Sequence, residues 1–191
     1  SSVPGEFYHA GIDAGAEFGT SVAPAGDVNG DGYADIIIGA WGRFNSVAEE
    51  DEGWALAYYG SESGLSNGFN WWAEGEQSGA RLGYSVATAG DVNGDGYADV
   101  IVGAPRYDDG DTDEGKAFVW YGSEDGLNGG VPGTPANAVW GTQSNQESAQ
   151  LGWAGSTAGD VNGDGYADVI VGARFYTYDQ DEEGAARLYR G

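Results

Sequence analysis

The chain has 191 residues and a formal charge of −24, from 7 Lys and Arg against 31 Asp and Glu. This charge excludes nucleic acid and anionic membranes as partners, because phosphate binding needs clustered Lys and Arg. The absence of Cys excludes disulfides and thiolate metal sites, and no apolar run approaches the ~18 residues that span a bilayer. The hydrophobic fraction of 40% and the aromatic fraction of 13% predict a packed core rather than disorder.

One sequence element occurs three times and organises the chain. It reads GDVNGDGYADIIIGA at 26–40, and GDVNGDGYADVIVGA at both 90–104 and 159–173. The copies also agree upstream (AEFGTSVAPAGD, ARLGYSVATAGD, AQLGWAGSTAGD) and downstream (GWALAYYGS, GKAFVWYGS, GAARLYRG). We therefore divide the single domain, 1–191, into repeats at 16–77, 78–147 and 148–191. Repeats of this length indicate a solenoid, a propeller or another array.

Each repeat is predicted to contain four short strands. In the first repeat they cover roughly Phe18–Ala23, Asp35–Ala40, Gly53–Tyr59 and Phe69–Glu76, with Gly and Asp between them. The runs IIIGA and VIVGA are apolar at consecutive positions, so both faces of this strand should be buried. Four strands per repeat make one propeller blade. We therefore expect an all-β propeller with three four-stranded blades per chain; a solenoid is the alternative, although its repeats are usually shorter.

The loop before the second strand carries oxygen donors at alternating positions. Counted from its first Asp, positions 1, 3, 5 and 9 have side-chain oxygens, and position 7 is a Tyr whose backbone carbonyl can add another. Gly at position 6 allows a sharp turn. Oxygen donors without His or Cys indicate Ca²⁺ rather than zinc or copper. The predicted ligands are Asp27, Asn29, Asp31, Tyr33 and Asp35; Asp91, Asn93, Asp95, Tyr97 and Asp99; and Asp160, Asn162, Asp164, Tyr166 and Asp168.

This loop is not an EF-hand. Position 12, which would carry a bidentate Glu, is Ile38, Val102 or Val171, and strand-forming residues follow instead of a helix. An Asx-rich turn without metal is the alternative. Three copies that keep every donor favour calcium, because nine carboxylates held in tight groups repel one another without a cation. We expect about three Ca²⁺ per chain.

The stretch FGTSVAPAGDVNGDGYADIIIGA, followed by the aromatic YYGS strand, resembles the FG-GAP repeat of integrin α-subunit propellers. The resemblance covers all three repeats, with Leu82 and Leu151 in place of Phe18. It implies a β-propeller with Ca²⁺ in the loop between the first and second strands of each blade. It also implies an extracellular or cell-surface scaffold for recognition or adhesion. Dockerin modules have a similar loop, but helices follow theirs.

The two ends of the sequence predict self-association. Residues 1–15 contain a fourth-strand segment, about Glu6–Asp13, whereas the third repeat stops where its third strand ends. Propellers usually have about 4–8 blades. We therefore expect a homodimer that closes a six-bladed ring with two-fold symmetry by exchanging these outer strands. The alternative is a fragment of a longer propeller.

The remaining features give weaker predictions. The acidic tracts Glu49–Glu52, Asp108–Glu114 and Asp179–Glu183 read as a solvated rim opposite the calcium loops, or as a face that binds a partner. Trp71, Trp72 and Trp140 read as packing residues, or as platforms for sugars in a propeller-type lectin. A self-assembling half-propeller without a ligand is a third function. We expect no enzyme, because the single His, His9, has no catalytic context and no nucleophile or phosphate-binding motif is present.

Overall fold

The computed structural model describes His9 and residues 14–43 and 51–191. These residues form eleven strands and one short 3-10 helical turn, Leu127–Gly130. No helix among them is long and apolar enough to cross a membrane. The strands are β1 Val22–Gly26, β2 Asp35–Ala40, β3 Trp54–Tyr58, β4 Trp71–Glu74, β5 Ser85–Gly90, β6 Asp99–Ala104, β7 Lys116–Trp120, β8 Trp140–Gln143, β9 Leu151–Gly159, β10 Asp168–Ala173 and β11 Ala185–Tyr189.

The strands form three antiparallel sheets in chain order, which we call blades 1, 2 and 3. Blade 1 is β1-β2-β3-β4, blade 2 is β5-β6-β7-β8, and blade 3 is β9-β10-β11. The first strand of blade 2, β5, contacts both β1 and β9, so the first strands of successive blades lie beside one another. This arrangement is that of a β-propeller, in which the first strand of each blade is the innermost.

The predicted strands agree with the structure, except at the start of the first one. The second strand was predicted at Asp35–Ala40 and is observed there, and the third and fourth are each shorter than predicted. The first strand was predicted from Phe18 but begins at Val22. The reason is a turn before it: Gly19 has φ +87° and the Thr20 N–H donates to Glu17 O over 3.2 Å.

The middle strands are buried on both faces, as the apolar runs predicted. Every residue of β6 is buried, and β2 has a single half-buried residue, Ile36. Apolar side chains between neighbouring blades form two clusters, one between blades 1 and 2 and one between blades 2 and 3. In β10 the prediction is wrong at one position, since Ile170 is exposed.

The predicted N-terminal strand, about Glu6–Asp13, lies outside the described residues except for His9. The His9 ring lies 5.3 Å from the ring of Tyr58 and 5.8 Å from that of Phe18. In blade 3, β11 is the outermost described strand.

Candidate metal centre

The three acidic loops occupy equivalent places in the three blades. Each connects the first strand of a blade to the second, at 27–34, 91–98 and 160–167. The described residues of the acidic tracts, 51–52, 108–114 and 179–183, follow the second strand and therefore lie at the opposite end of each blade. The predicted positions of the acidic loops and of the described part of the tracts are confirmed.

Hydrogen bonds hold the first three predicted ligands of each loop together. In blade 1, the Asp31 N–H donates to both Asp27 Oδ1 and Asn29 Oδ1, at 3.1 and 3.2 Å. Asn29 Nδ2 donates to Asp31 Oδ2 at 3.0 Å. The same three bonds recur at Asp91, Asn93 and Asp95 and at Asp160, Asn162 and Asp164, with lengths of 2.7–3.1 Å.

The glycine at position 6 makes this compact turn accessible. Gly32, Gly96 and Gly165 have φ values of +87°, +93° and +96°, a region that other residues rarely adopt. Each donates its N–H to Oδ2 of the first Asp of its loop at 2.9 Å. The sharp turn expected at these glycines is confirmed, and all three have φ > 0.

The Asp at position 9 is anchored differently from the other ligands. Asp35 is fully buried, and its two carboxylate oxygens accept the N–H groups of Val28 and Gly60, both at 2.8 Å. Asp99 bonds in the same way to Val92 and Gly122, at 2.8 and 2.9 Å. This carboxylate therefore ties the loop to the second residue after the third strand, a structural role that the sequence alone did not reveal.

The loop carboxylates interact electrostatically. Burial raises the pKa of Asp99 to about 6; two backbone N–H bonds oppose this shift, while the charges of Asp95 and Asp91 add to it. The pKa of Asp35 is raised for the same reasons, with Asp31 and Asp27 as the charged neighbours. In the third loop, by contrast, the N–H bond from Gly165 lowers the pKa of Asp160. Mutual repulsion of this kind is relieved by a bound cation.

The donor set fits a hard cation chemically, although the carboxylates do not converge into a ready-made site. Among the described residues, no group of three or more His, Cys, Asp or Glu side chains is arranged to hold a metal ion. However, each oxygen of Asp27 accepts one loop N–H, and a carboxylate offers about four lone-pair sites. Lone pairs therefore remain for a metal, and the amide oxygen of Asn29 lies in the same turn.

The acidic tracts contain buried carboxylates that sequence reasoning missed. Glu52 and Glu114 are 0% and 1% exposed, so the expectation of a solvated rim is wrong for both. Glu114 Oε1 accepts the N–H groups of Asp109 and Asp111, and its Oε2 accepts that of Asn145 at 3.0 Å. The signal was present in the sequence, since a Glu-Gly pair precedes the third strand in every repeat.

The tryptophans separate into buried and half-buried positions. Trp71 is 1% exposed, packs edge-on against Trp120 and donates its ring N–H to Val131 O at 2.8 Å. It is a packing residue and presents no face to a sugar. Trp72 and Trp140 are half-buried, and Trp140 packs edge-on against Tyr189.

Comparison with known proteins identifies the family. The FG-GAP repeat model matches residues 18–46, 82–120 and 151–189. The chain is 32% identical to integrin alpha-4 of Xenopus laevis over 170 residues, which cover 87% of this chain and 15% of that protein. It is 35% identical to integrin alpha-PS2 of Drosophila melanogaster over 184 residues, 90% of this chain and 12% of that protein. The chain thus spans only a small part of the length of these integrin alpha relatives. Because the family model matches more than half of its residues, the chain belongs to the FG-GAP repeat family.

Proposed function

We propose that the chain is a calcium-binding β-propeller scaffold for recognition or adhesion outside the cell, with one structural Ca²⁺ in the loop of each blade. The observation that carries this proposal is the threefold repetition of one hydrogen-bonded Asp-Asn-Asp turn. The same atoms are joined in all three loops, with bond lengths that agree within about 0.3 Å.

In each loop, the Asp and Asn side chains at positions 1, 3 and 5 would supply the first oxygens, and the Tyr carbonyl and the anchored Asp at position 9 the others. Bound Ca²⁺ would neutralise carboxylates that otherwise repel one another. Typical extracellular calcium modules bind at about 10⁻⁴–10⁻³ M. We expect the same range, because the carboxylate at position 9 is already committed to two backbone N–H groups.

The test is a calcium titration of the whole chain by isothermal calorimetry, with magnesium as the competing ion. We expect three calcium sites and a higher melting temperature in calcium than in EDTA. A titration without heat, together with a melting curve that EDTA leaves unchanged, would remove calcium from the proposal.

A conservative variant separates metal binding from folding. Asp95→Asn keeps the side-chain oxygen that accepts the Tyr97 N–H at 2.9 Å, removes one negative charge and gives up only the bond from Asn93 Nδ2 on the exposed side of the loop. We expect the variant to lose one calcium site of three and to melt in EDTA close to the wild-type temperature, because the lost exposed bond and the relieved charge repulsion act in opposite directions. Equal calcium binding by wild type and variant would exclude Asp95 as a ligand. Ser63→Ala, in the exposed loop after β3, is the control that should bind as wild type does.

The adhesion part of the proposal is supported by the integrin alpha relatives, and it makes the chain a binding module rather than an enzyme. A glycan-binding lectin is the second candidate. The gap beside Trp140, which Val119, Tyr121 and Arg190 also line, has a volume of about 90 Å³. Small-molecule sites usually measure about 300–1,000 Å³, which argues against a sugar there. Retention on immobilised glycans that Trp140→Ala abolishes would favour the lectin instead.

A further inference from the structure

The junctions between neighbouring blades repeat the same backbone hydrogen bonds. At the junction of blades 1 and 2, the Ala98 N–H donates to Asp27 O at 3.0 Å; at the next junction, the Ala167 N–H donates to Asp91 O at 2.8 Å. At the other end of the blades, the Leu82 and Leu151 N–H groups donate to Glu52 O and Glu114 O, at 2.9 and 3.0 Å. Each blade thus offers carbonyl groups to the blade that follows it.

A glycine in each second strand permits the close approach. A methyl group on Gly39 would overlap with Gly83 O of blade 2, and one on Gly103 would overlap with Gly152 O of blade 3. Gly172 holds the same place in blade 3. There the nearest atoms to an added methyl group belong to Ala154 of the same blade, 3.8 Å away, which is an ordinary contact.

The apolar surface of blade 3 that corresponds to these junctions is uncovered. In blade 2, Ile101 and Val119 face blade 3 and are 1% and 2% exposed. Their counterparts in blade 3, Ile170 and Leu188, pair with each other across β10 and β11 and are 39% and 46% exposed. Blade 3 therefore presents the same half of a junction that blades 1 and 2 have buried.

Blade 1 presents the complementary half. Ala34 and Phe18 correspond to Ala98 and Leu82, and no described residue accepts a hydrogen bond from either of their N–H groups. Val22 of β1 is 66% exposed, whereas Val86, its counterpart in β5, is 5% exposed beneath blade 1.

His9 marks where a preceding blade would lie. At each junction, a Trp of the fourth strand packs against an aromatic residue of the next blade's third strand: Trp71 on Trp120 at 5.6 Å, and Trp140 on Tyr189 at 4.9 Å. Tyr58 is the equivalent residue of blade 1, and the His9 ring lies 5.3 Å from it. His9 therefore stands where the fourth strand of a preceding blade would run. The third strand of such a blade, the equivalent of β11, would lie next to it.

We propose that blade 3 of one chain docks on blade 1 of a second copy, and reciprocally, so that two chains close a six-bladed ring. Each of the two new junctions joins different surfaces, blade 3 of one copy and blade 1 of the other. The two-fold axis relates the two junctions, so that the ring closes. Six is also the only multiple of three within the usual range of about 4–8 blades. The occupant is a second copy because this chain carries both halves of a junction that it already makes twice.

The second copy would also complete the third calcium loop. Tyr97 covers Gly30 of the first loop and Tyr166 covers Gly94 of the second, so that a Cβ on either glycine would lie 2.6 Å from the Tyr ring. Gly163 of the third loop has no atom within 4 Å of that position, and Tyr33 is 42% exposed. The second copy's Tyr33 would cover Gly163.

The test is the solution mass of the chain by light scattering across a concentration series, in calcium. We expect 39.6 kDa, twice the chain mass of 19.8 kDa. Gly172→Ala is the diagnostic variant: its methyl group fits within one chain but would overlap with the second copy's backbone. We expect it, and Leu188→Glu, to have a mass of 19.8 kDa, to keep the calcium sites of the first two loops, whose covering Tyr belongs to the same chain, and to bind more weakly at the third.

Val139→Glu is the matched control, because Val139 has the same exposure as Leu188, 46%, but lies on blade 2 beside β8. It should remain a dimer. A wild-type mass of 19.8 kDa at every concentration, or a dimer that Gly172→Ala and Leu188→Glu leave intact, overturns the proposal. A monomer that still binds calcium would separate this failure from that of the proposed function.

Discussion

Glu114 illustrates how one buried charge can organise a whole connector. Its two carboxylate oxygens accept three backbone N–H groups, two from the connector of its own blade and one, from Asn145, beyond β8. Hydrogen bonds to a charged group contribute about 1.5–3 kcal/mol, and buried N–H groups that lose their acceptor are costly. The side chain is thus a structural element, although it lies in a tract whose composition suggests a solvated surface.

Replacement of this side chain should therefore lower stability. We expect Glu114→Ala to reduce the free energy of unfolding by about 2–3 kcal/mol, since three N–H groups lose their acceptor. Glu183→Ala is the control: Glu183 bonds to the N–H groups of Asp179 and Gln180 but is exposed, so water replaces it at a cost of about 1 kcal/mol or less. Urea unfolding measures both, and equal losses would contradict the structural role of Glu114.

At the scale of elements, the connector between β7 and β8 protects the outer edge of blade 1. Gly133 N–H donates to Trp72 O at 2.8 Å and Gly133 O accepts the Glu74 N–H at 3.1 Å, which adds a short parallel pairing to β4. An exposed strand edge is a template for aggregation, and covering it with a loop is one of the known remedies. Blade 2 thus covers the edge of blade 1 with its own connector.

We expect Gly133→Ala to detach this connector. A methyl group there would lie 2.6 Å from a ring carbon of Trp71 and 2.8 Å from the Ala73 side chain. Overpacking of this kind costs about 1–3 kcal/mol, and the Glu74 N–H should exchange with solvent faster than in the wild type. Gly68→Ala is the control, because nothing lies within 4 Å of its added methyl group. Hydrogen exchange by mass spectrometry distinguishes the two; unchanged protection of β4 in Gly133→Ala would contradict this account.

At the scale of the whole molecule, the most prominent property is the formal charge of −24. Without divalent cations this charge destabilises the folded state by self-repulsion, and added salt screens it. Raising the ionic strength from about 0.01 M to 0.1 M shortens the Debye length from about 30 Å to 10 Å. We expect the melting temperature in EDTA to rise over this range, and to rise less in calcium. A melting temperature independent of salt in EDTA would show that the carboxylates do not limit stability.

Repetition made most of this fold predictable from the sequence. Three copies of one motif fixed the strands, the loops between the first two strands and the glycines with positive φ. Hydrophobic patterns in the sequence could not show which face of a middle strand a neighbouring blade covers. The exposure of Ile170 was therefore missed. Nor could composition distinguish Glu114 from the exposed acids around it, because its burial depends on N–H groups that only the folded connectors bring together.

The junction bonds have a consequence for how such a chain can grow. They join backbone N–H and carbonyl groups, and the glycine contacts also meet backbone oxygens, so these bonds require the glycines and an apolar filling between the blades but no other particular side chains. A segment such as 82–150 carries the N–H donors of the junction with the preceding blade and the carbonyl acceptors of the junction with the following blade. Duplication of that segment in a gene would insert a blade whose two sides match its neighbours at once, without compensating substitutions. A fold joined in this way can change its number of units in single genetic steps, while the loops at either end of each unit diverge toward new ligands.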